Sequence, residues 1–292
     1  QLKKIKMAVT NGWGQGVENN TIEWGKGKDN STNDWGKVYE TSASGDTLLE
    51  VATPSFSNTK SLDFDGVDDF LKTSSAYTTL NGATNVSFSM WLKPISAGST
   101  LRMVFQIGRG GAVNTYDSQC QLFLYEGQRI DFSINISSKF GRGNISTLTY
   151  GSWNHLVVAV DLTHGSNPEC QMFLNGADVT INDNMGGINS FPTATDELYV
   201  GESKTGKLNP FNGGIDEFAI YNGTTLTLAQ AQAIYNQGGT AKPGDLSLLT
   251  PSPTLWYRMG DNDTFPTITD NVGSENATMT NMVAADIVTD VP

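Results

Sequence analysis

Three carboxylates fall within five residues at Asp65, Asp68 and Asp69, with Gly66 and Val67 between them, and that spacing suits a cation. Glycine lets the chain turn back sharply, so the side chains can converge with backbone carbonyls, and calcium takes six to eight oxygen ligands at about 2.3 to 2.6 Å. The same residues have a plainer use. Aspartates at a turn accept hydrogen bonds from nearby amides, and Asp65 and Asp69 would then serve the Gly66 turn itself.

Other reactive types are sparse. Cys120, Cys170, His155 and His164 are the only cysteines and histidines, and their spacing makes no zinc pattern. Both cysteines open similar strand-like stretches, so a disulfide requires those strands to be neighbours; free thiols are the expectation for a chain assembled in a reducing cytoplasm. No serine lies in a G-x-S-x-G elbow, which leaves His155 reading as a packed, hydrogen-bonded residue. Gly108-Arg109-Gly110-Gly111 opens no helix, so it reads as a rim loop available to ligands rather than a phosphate cradle.

The elements that must position these residues are strands. Val86, Phe88, Met90 and Leu92 alternate with Ser87, Ser89 and Trp91, the pattern of a half-buried strand, and Lys93-Pro94 ends it. Residues 122–125 and 130–136 alternate on either side of Glu126-Gly127-Gln128, which predicts a hairpin. Residues 156–160 are apolar on both faces and belong in the middle of a sandwich. Further strands are expected at 171–174, 198–200, 215–221 and 254–259. One helix is expected over residues 228–236, with Thr227 and Gln230 at capping-box spacing and Gly238 ending it, packed on a sandwich edge. Strands recurring every 10 to 15 residues without intervening helices indicate an all-β antiparallel sandwich.

Composition narrows the function. The chain has 292 residues, 31 glycines and a net charge of −12, which argues against nucleic-acid binding, because that depends on Lys and Arg neutralising phosphates. Of 18 basic and 30 acidic residues, six and five fall in residues 1–40, leaving 12 and 25, or −13, for residues 41–292. No apolar run approaches membrane-spanning length, and Lys3-Lys4-Ile5-Lys6 is not followed by a signal-peptide core. Met7 makes a natural initiator, so residues 1–6 are expected to lie upstream of the usual start.

At Ser61-Leu62-Asp63-Phe64-Asp65-Gly66-Val67-Asp68-Asp69-Phe70-Leu71 the sequence resembles the opening strand of laminin G-like, concanavalin A-like jelly-roll domains. Phe88-Ser89-Met90-Trp91-Leu92-Lys93-Pro94, Trp153-Asn154-His155-Leu156-Val157, Phe173-Leu174-Asn175-Gly176, Val200-Gly201, Phe211-Asn212-Gly213-Gly214-Ile215-Asp216-Glu217 and the helix follow in the family's order. Together they cover about residues 60–238. The resemblance implies a two-sheet sandwich, and places Asp216 near the Asp65 turn as a further calcium ligand. In many relatives a segment like residues 255–261 and 269–279 precedes the opening strand; here it follows the helix. The tail, residues 241–292, is therefore expected to complete the sandwich as a permuted strand or to contact a neighbouring subunit.

The resemblance also raises enzymatic and lectin readings. Concanavalin A-like glucanases need two carboxylates about 5 to 10 Å apart, expected as an acidic E-x-D-x-E-like pattern on one inward-facing strand. No such pattern occurs, and Asp63 and Asp65 lie in the opening strand rather than the catalytic one, so a non-enzymatic protein is expected. Jelly-roll relatives bind sugars through loop polar groups and exposed aromatics; Tyr116, Asp117, Phe140, Arg142 and Phe191 are the candidates, with rim packing as their plainer role.

Residues 1–46 form a separate arm, followed by a sandwich over 47–240. Trp13, Trp24 and Trp35 stand eleven residues apart in a W-G-[QK]-G repeat too short to bury its own apolar residues, so they read as anchoring residues that dock on a partner. The arm and the ending of the chain also resemble virion proteins of tailed bacteriophages, in which W-G-x-G repeats precede a laminin G-like domain. That implies a structural head-fibre, decoration or tail-associated subunit in the virion, a homo-oligomer whose arm contacts other virion proteins while the sandwich meets a cell-surface glycan or the lattice. The alternative is a secreted bacterial adhesin or carbohydrate-binding module at the cell surface.

Overall fold

The computed structural model describes residues 23–24, 38–42, 45–49, 56–95, 101–108, 118–125, 129–135, 140–144, 148–163, 169–203, 210–236 and 243–292. The chain divides into two units, residues 1–57 and 58–292. In the first, β1 (Glu23–Trp24), β2 (Val38–Ser42) and β3 (Gly45–Leu49) form a small antiparallel sheet in that order. Trp24 lies in β1, whereas Trp13 and Trp35 lie outside the described residues.

The second unit is a two-sheet sandwich. Its strands are β4 (Ser61–Asp65), β5 (Phe70–Thr73), β6 (Asn85–Pro94), β7 (Arg102–Gly108), β8 (Ser118–Tyr125), β9 (Arg129–Asn135) and β10 (Phe140–Asn144). They are followed by β11 (Asn154–Asp161), β12 (Cys170–Leu174), β13 (Ala177–Asp178), β14 (Ile181–Asp183), β15 (Leu198–Val200) and β16 (Asn212–Asn222). Helix α1 (Leu228–Tyr235) leads to β17 (Leu255–Tyr257), β18 (Thr267–Ile268), β19 (Ala277–Thr280) and β20 (Ile287–Val288).

A nine-stranded sheet runs β14-β10-β9-β8-β7-β15-β5-β19-β18, and an eight-stranded sheet runs β13-β12-β11-β6-β16-β4-β20 with β17 added alongside β16. All the pairings are antiparallel. Alternation supplies the core from both sheets. Phe88 stacks on Phe105 at 4.8 Å, Phe105 meets Phe218 edge-on at 5.5 Å, and Phe218 stacks on Tyr257 at 6.2 Å, so an aromatic column ties β6, β7, β16 and β17 together.

The tail adds strands to both sheets of its own chain. β16 is flanked on one edge by β6 along most of its length, while its other edge changes partner: Asn212 to Ile215 pair with β4, and Phe218 to Ile220 pair with β17. The change falls at a bulge containing Asp216 and Glu217, where Glu217 has a φ of 50°. An extra residue at a bulge frees the strand to end one pairing and begin another.

Two expectations about β6 and the helix are corrected. β6 is buried on both faces, and Ser87, Ser89 and Trp91 are covered although their alternation predicted a solvent face. The helix causes this, since it and its lead-in lie over the outer face of the eight-stranded sheet rather than at an edge. Ser87 Oγ donates to Thr224 O and accepts from Leu226 N, and Tyr235 stacks on both Trp91, at 5.5 Å, and His155, at 6.0 Å. The helix begins with the Thr227–Gln230 capping box and ends at Tyr235, one residue before the expected end, with Asn236 in the left-handed conformation as its cap. Among the described residues, no helix is long and apolar enough to cross a membrane.

Candidate functional site

Register on the nine-stranded sheet aligns one transverse row of outward side chains. Phe140 stands opposite Ser133, Ser133 opposite Gln121, Gln121 opposite Gln106, Gln106 opposite Tyr199, Tyr199 opposite Lys72, and Lys72 opposite Thr278. Alternation dictates the facing, since Ile107, Cys120, Leu122, Phe132 and Ile134 on the intervening positions enter the core. On β10 glycine does the same job: a Cβ on Gly141 would lie 2.4 Å from Cys170 Sγ, so the inner face is bare and Phe140 and Arg142 point outward.

The middle of this row is polar and enclosed. Gln106 Nε2 donates to Gln121 Oε1 at 3.2 Å, while Gln121 Nε2 and Ser133 Oγ are buried with no hydrogen-bond partner among the described residues. An unmet buried polar group costs about 1 to 3 kcal/mol, so such atoms are ordinarily satisfied by water or by a ligand.

Beside the row lies a charged ladder. Asp131, opposite Arg142 on one side and Phe123 on the other, is 4% exposed. Its Oδ2 accepts from Arg142 Nε at 2.8 Å and from an Arg129 terminal nitrogen at 3.3 Å, and Arg129 Nε approaches Oδ1 at 3.0 Å as an ion pair without hydrogen-bond alignment. Each guanidinium also lies over a ring, Arg129 3.9 Å from the Tyr125 centroid and Arg142 3.7 Å from that of Phe140. Burial pushes the Asp131 carboxyl up, against the pull of the two arginines.

The carboxylates singled out in the sequence divide between two places. The ligand atoms of Asp65, Asp68 and Asp69 lie within 4.8 Å of one another. The turn role is also real: Asp65 Oδ1 accepts from Val67 N at 2.7 Å, and Asp69 Oδ2 accepts from Asp65 N at 3.0 Å. Burial first, then the charges of Asp65, Asp286 and Asp68, push Asp69 up to about 6. Glu202, 6% exposed and absent from the sequence-based set, is likewise pushed up by burial and by Asp68. It follows Gly201, whose modest Val-Gly context gives no sign of a ligand.

Asp216 does not join this group. It is fully buried at the β16 bulge, where its oxygens accept from Asn58 Nδ2 at 2.7 Å and Glu217 N at 2.8 Å. Glu217 accepts from Trp256 Nε1 at 2.5 Å and Arg258 Nε at 3.4 Å, and Arg258 reaches Asp261 at 2.9 Å. Asp261 in turn receives Thr59 N at 3.1 Å. Burial and the mutual charge of the two acids push Asp216 well above the ordinary carboxylate range, and burial pushes Glu217 up to about 7. This is a structural junction of three chain segments.

Of the sugar-contact candidates, Phe140 and Arg142 lie in β10 on the outward face, whereas Phe191 is 1% exposed in the core. Tyr116 and Asp117, and Arg109 with its two following glycines, lie outside the described residues. His155 is buried, with Nε2 2.9 Å from Ser89 Oγ and its ring clustered with those of Trp91 and Tyr235. Cys120 and Cys170 are buried free thiols in different sheets, pushed up by burial. A further groove of about 270 Å³ runs beside the helix over Ala159, Gln171 and Phe173.

A family model described as Laminin_G_3, the concanavalin A-like lectin/glucanases superfamily, matches residues 65–232. Comparison with curated protein sequences returns no match. Among solved structures, a Bacteroides ovatus protein described as carbohydrate binding is 15% identical with a TM-score of 0.57, over 86% of this chain and 70% of that one. A heptameric SAP-like pentraxin from Limulus polyphemus is 14% identical with a TM-score of 0.49, over 78% and 98% of the two chains. The CBM40 of the Ruminococcus gnavus IT-sialidase, bound to α2,3 sialyllactose, is 14% identical with a TM-score of 0.47, over 60% and 96%.

Proposed function

We propose, from the premise that this chain belongs to the concanavalin A-like lectin/glucanases superfamily, that it is a non-enzymatic glycan-binding display subunit whose outward nine-stranded face meets the sugar. The observation that carries the reading is the pair of partly exposed rings, Tyr125 and Phe140, each backed by an arginine guanidinium at the end of the row where the sheet face opens to solvent. Sugars present hydroxyls that both donate and accept, and rings suit their apolar faces. Glycoside hydrolysis instead needs one carboxyl able to give a proton and a second about 5 to 10 Å away. Asp131, beside the row, is engaged by two arginines, and Asp216 with Glu217 is enclosed at the strand junction.

Glycan-array binding of the full chain tests this, with Tyr125→Ala and Phe140→Ala variants that retain the wild-type melting temperature. Loss of a wild-type signal in those variants is expected. A wild-type protein that binds no glycan, or variants that bind unchanged, would sink the reading.

The location we propose is a tailed-phage virion, with residues 1–46 fastening the subunit to the particle through Trp13, Trp24 and Trp35. The tandem Trp-Gly repeat and the contrast between a nearly neutral arm and an acidic remainder support it. Removing residues 7–40 is expected to abolish particle incorporation while the sandwich still folds; normal incorporation of the truncated subunit would favour the secreted adhesin instead. Calcium is proposed at Asp65, Asp68 and Asp69, because their converging oxygens and the neighbouring Glu202 bring negative charge together at one rim.

A further inference from the structure

We infer that Arg129 and Arg142 form an oxyanion-recognition site, so that the glycan bound on this face is an acidic one carrying a carboxylate or a sulfate. The inference rests on the glycan-binding reading above and names the class of ligand. Its starting point is stoichiometry at Asp131, where two guanidiniums share one carboxylate. The ladder therefore carries a local surplus of positive charge on a chain whose net charge is −12.

Geometry leaves that surplus available. Arg142 meets Asp131 through Nε, and its terminal nitrogens donate to no described residue. Its side chain is 37% exposed and that of Arg129 is 43% exposed, so each is half-open to solvent despite its fixed inner edge. Asp131 holds one side of each guanidinium, and the Tyr125 or Phe140 ring supports its flat face. What remains is a fork of N–H donors with little freedom left to lose, the arrangement that pairs with a planar carboxylate or a sulfate through two parallel hydrogen bonds. A lysine at either position would supply charge without the fork.

The two arginines also adjoin the neutral row. Phe140 occupies the row and supports Arg142, while Ser133 lies two residues along β9 from Asp131 on the same outward face. A sugar seated beside the partly exposed Phe140 ring would thus bring an acidic substituent to the arginines. An ion pair between partly exposed groups is weak in water, but ring support and the Asp131 anchor remove much of the ordering cost.

The test is calorimetric titration of the full chain with three matched probes: a uronic-acid oligosaccharide, a sulfated oligosaccharide and their neutral counterpart. At least one acidic probe is expected to bind more tightly than the neutral one, with affinity falling as salt rises. Arg142→Lys retains the charge and is expected to weaken the acidic probe roughly tenfold or more, the fold-change that corresponds to one lost charge-assisted hydrogen bond, while leaving the neutral probe unchanged. Asp131→Asn removes the competing carboxylate, and is expected to hold or tighten acidic binding even as the melting temperature falls. A purely structural ladder would lose or keep both probes together. Equal binding of acidic and neutral probes overturns this inference and leaves the glycan reading standing; binding of none overturns both.

Discussion

Trp256 donates its indole hydrogen to Glu217 at 2.5 Å, joining the tail to the bulge of β16 at the point where that strand changes partner. Glu217 and Asp261 pair with one guanidinium, that of Arg258, while Asp216 lies buried against Asn58 and Glu217, so the enclosed junction holds more carboxylates than cations among the described residues. Burial consequently keeps a proton on the Asp216–Glu217 pair, and the pair titrates together.

The sign of the pH effect follows. Glu217 is raised from 4.5 to about 7, so between those values the folded chain binds more protons than the unfolded one. The stabilisation is complete below the unfolded value and is lost as pH rises through the folded one, by an amount on the order of 3 kcal/mol. Glu217→Gln keeps an acceptor for Trp256 and removes one of the two carboxyls, along with its charge on Asp216. Its melting temperature is expected to vary less than the wild type's across this window; an unchanged slope would refute the assignment.

A backbone contact makes the second prediction. Gly213 has a φ of 124°, and a Cβ there would lie 2.1 Å from the Lys93 carbonyl oxygen and 3.0 Å from Ile95 N. Those atoms belong to the paired β6 edge and its exit, so neither can move without breaking the β6–β16 ladder. Gly213→Ala is expected to cost about 3 kcal/mol or more, read as a lower urea midpoint, or to leave the protein insoluble.

Much of this fold was legible because its cues are local. The alternation of residues 130–136, the apolar run 156–160 and the Thr227–Gln230 spacing each specify an element through nearest neighbours, and β9, β11 and α1 follow them. The covered face of β6 was not legible, since Ser87 and Ser89 look solvent-facing until residues 224–226 arrive from far along the chain to bond Ser87. The same limit affected the sites. Asp65, Asp68 and Asp69 are neighbours in sequence and converge, while Asp216 was placed beside them by family likeness and in fact bonds Asn58. The Gln106–Gln121–Ser133 row depends on strand register, which is set across three strands and two bulges and leaves no mark in any one of them.

The helix face supplies a third prediction. Tyr235 stacks on Trp91 with an interplanar angle of 25° and on His155 with one of 17°, so it is the aromatic link between α1 and the sheet. Tyr235→Ala is expected to destabilise by about 1 to 3 kcal/mol, from lost stacking and lost burial. Thr227→Ala removes the cap and is expected to cost about 1 kcal/mol. Urea unfolding that ranks the two in the reverse order would show that capping, and not the ring contact, holds the helix down.

The rim carboxylates give the last prediction. Asp69, raised from 3.8 to about 6, must lose its proton to serve as a calcium ligand, so calcium affinity should rise as pH passes upward through that value and binding should release protons. Without calcium the raised Asp69 contributes stability at low pH that is lost between those two values; the ion reverses this by favouring the charged form. Calcium is therefore expected to raise the melting temperature at pH 7 and to do little at pH 5. Asp69→Asn retains an acceptor for Asp65 N and should fold, but should lose the calcium response; Glu202→Gln should weaken it. Asp216→Asn, at the separate junction, should leave the response intact, and a melting temperature indifferent to calcium and chelator at both pH values would eliminate the metal.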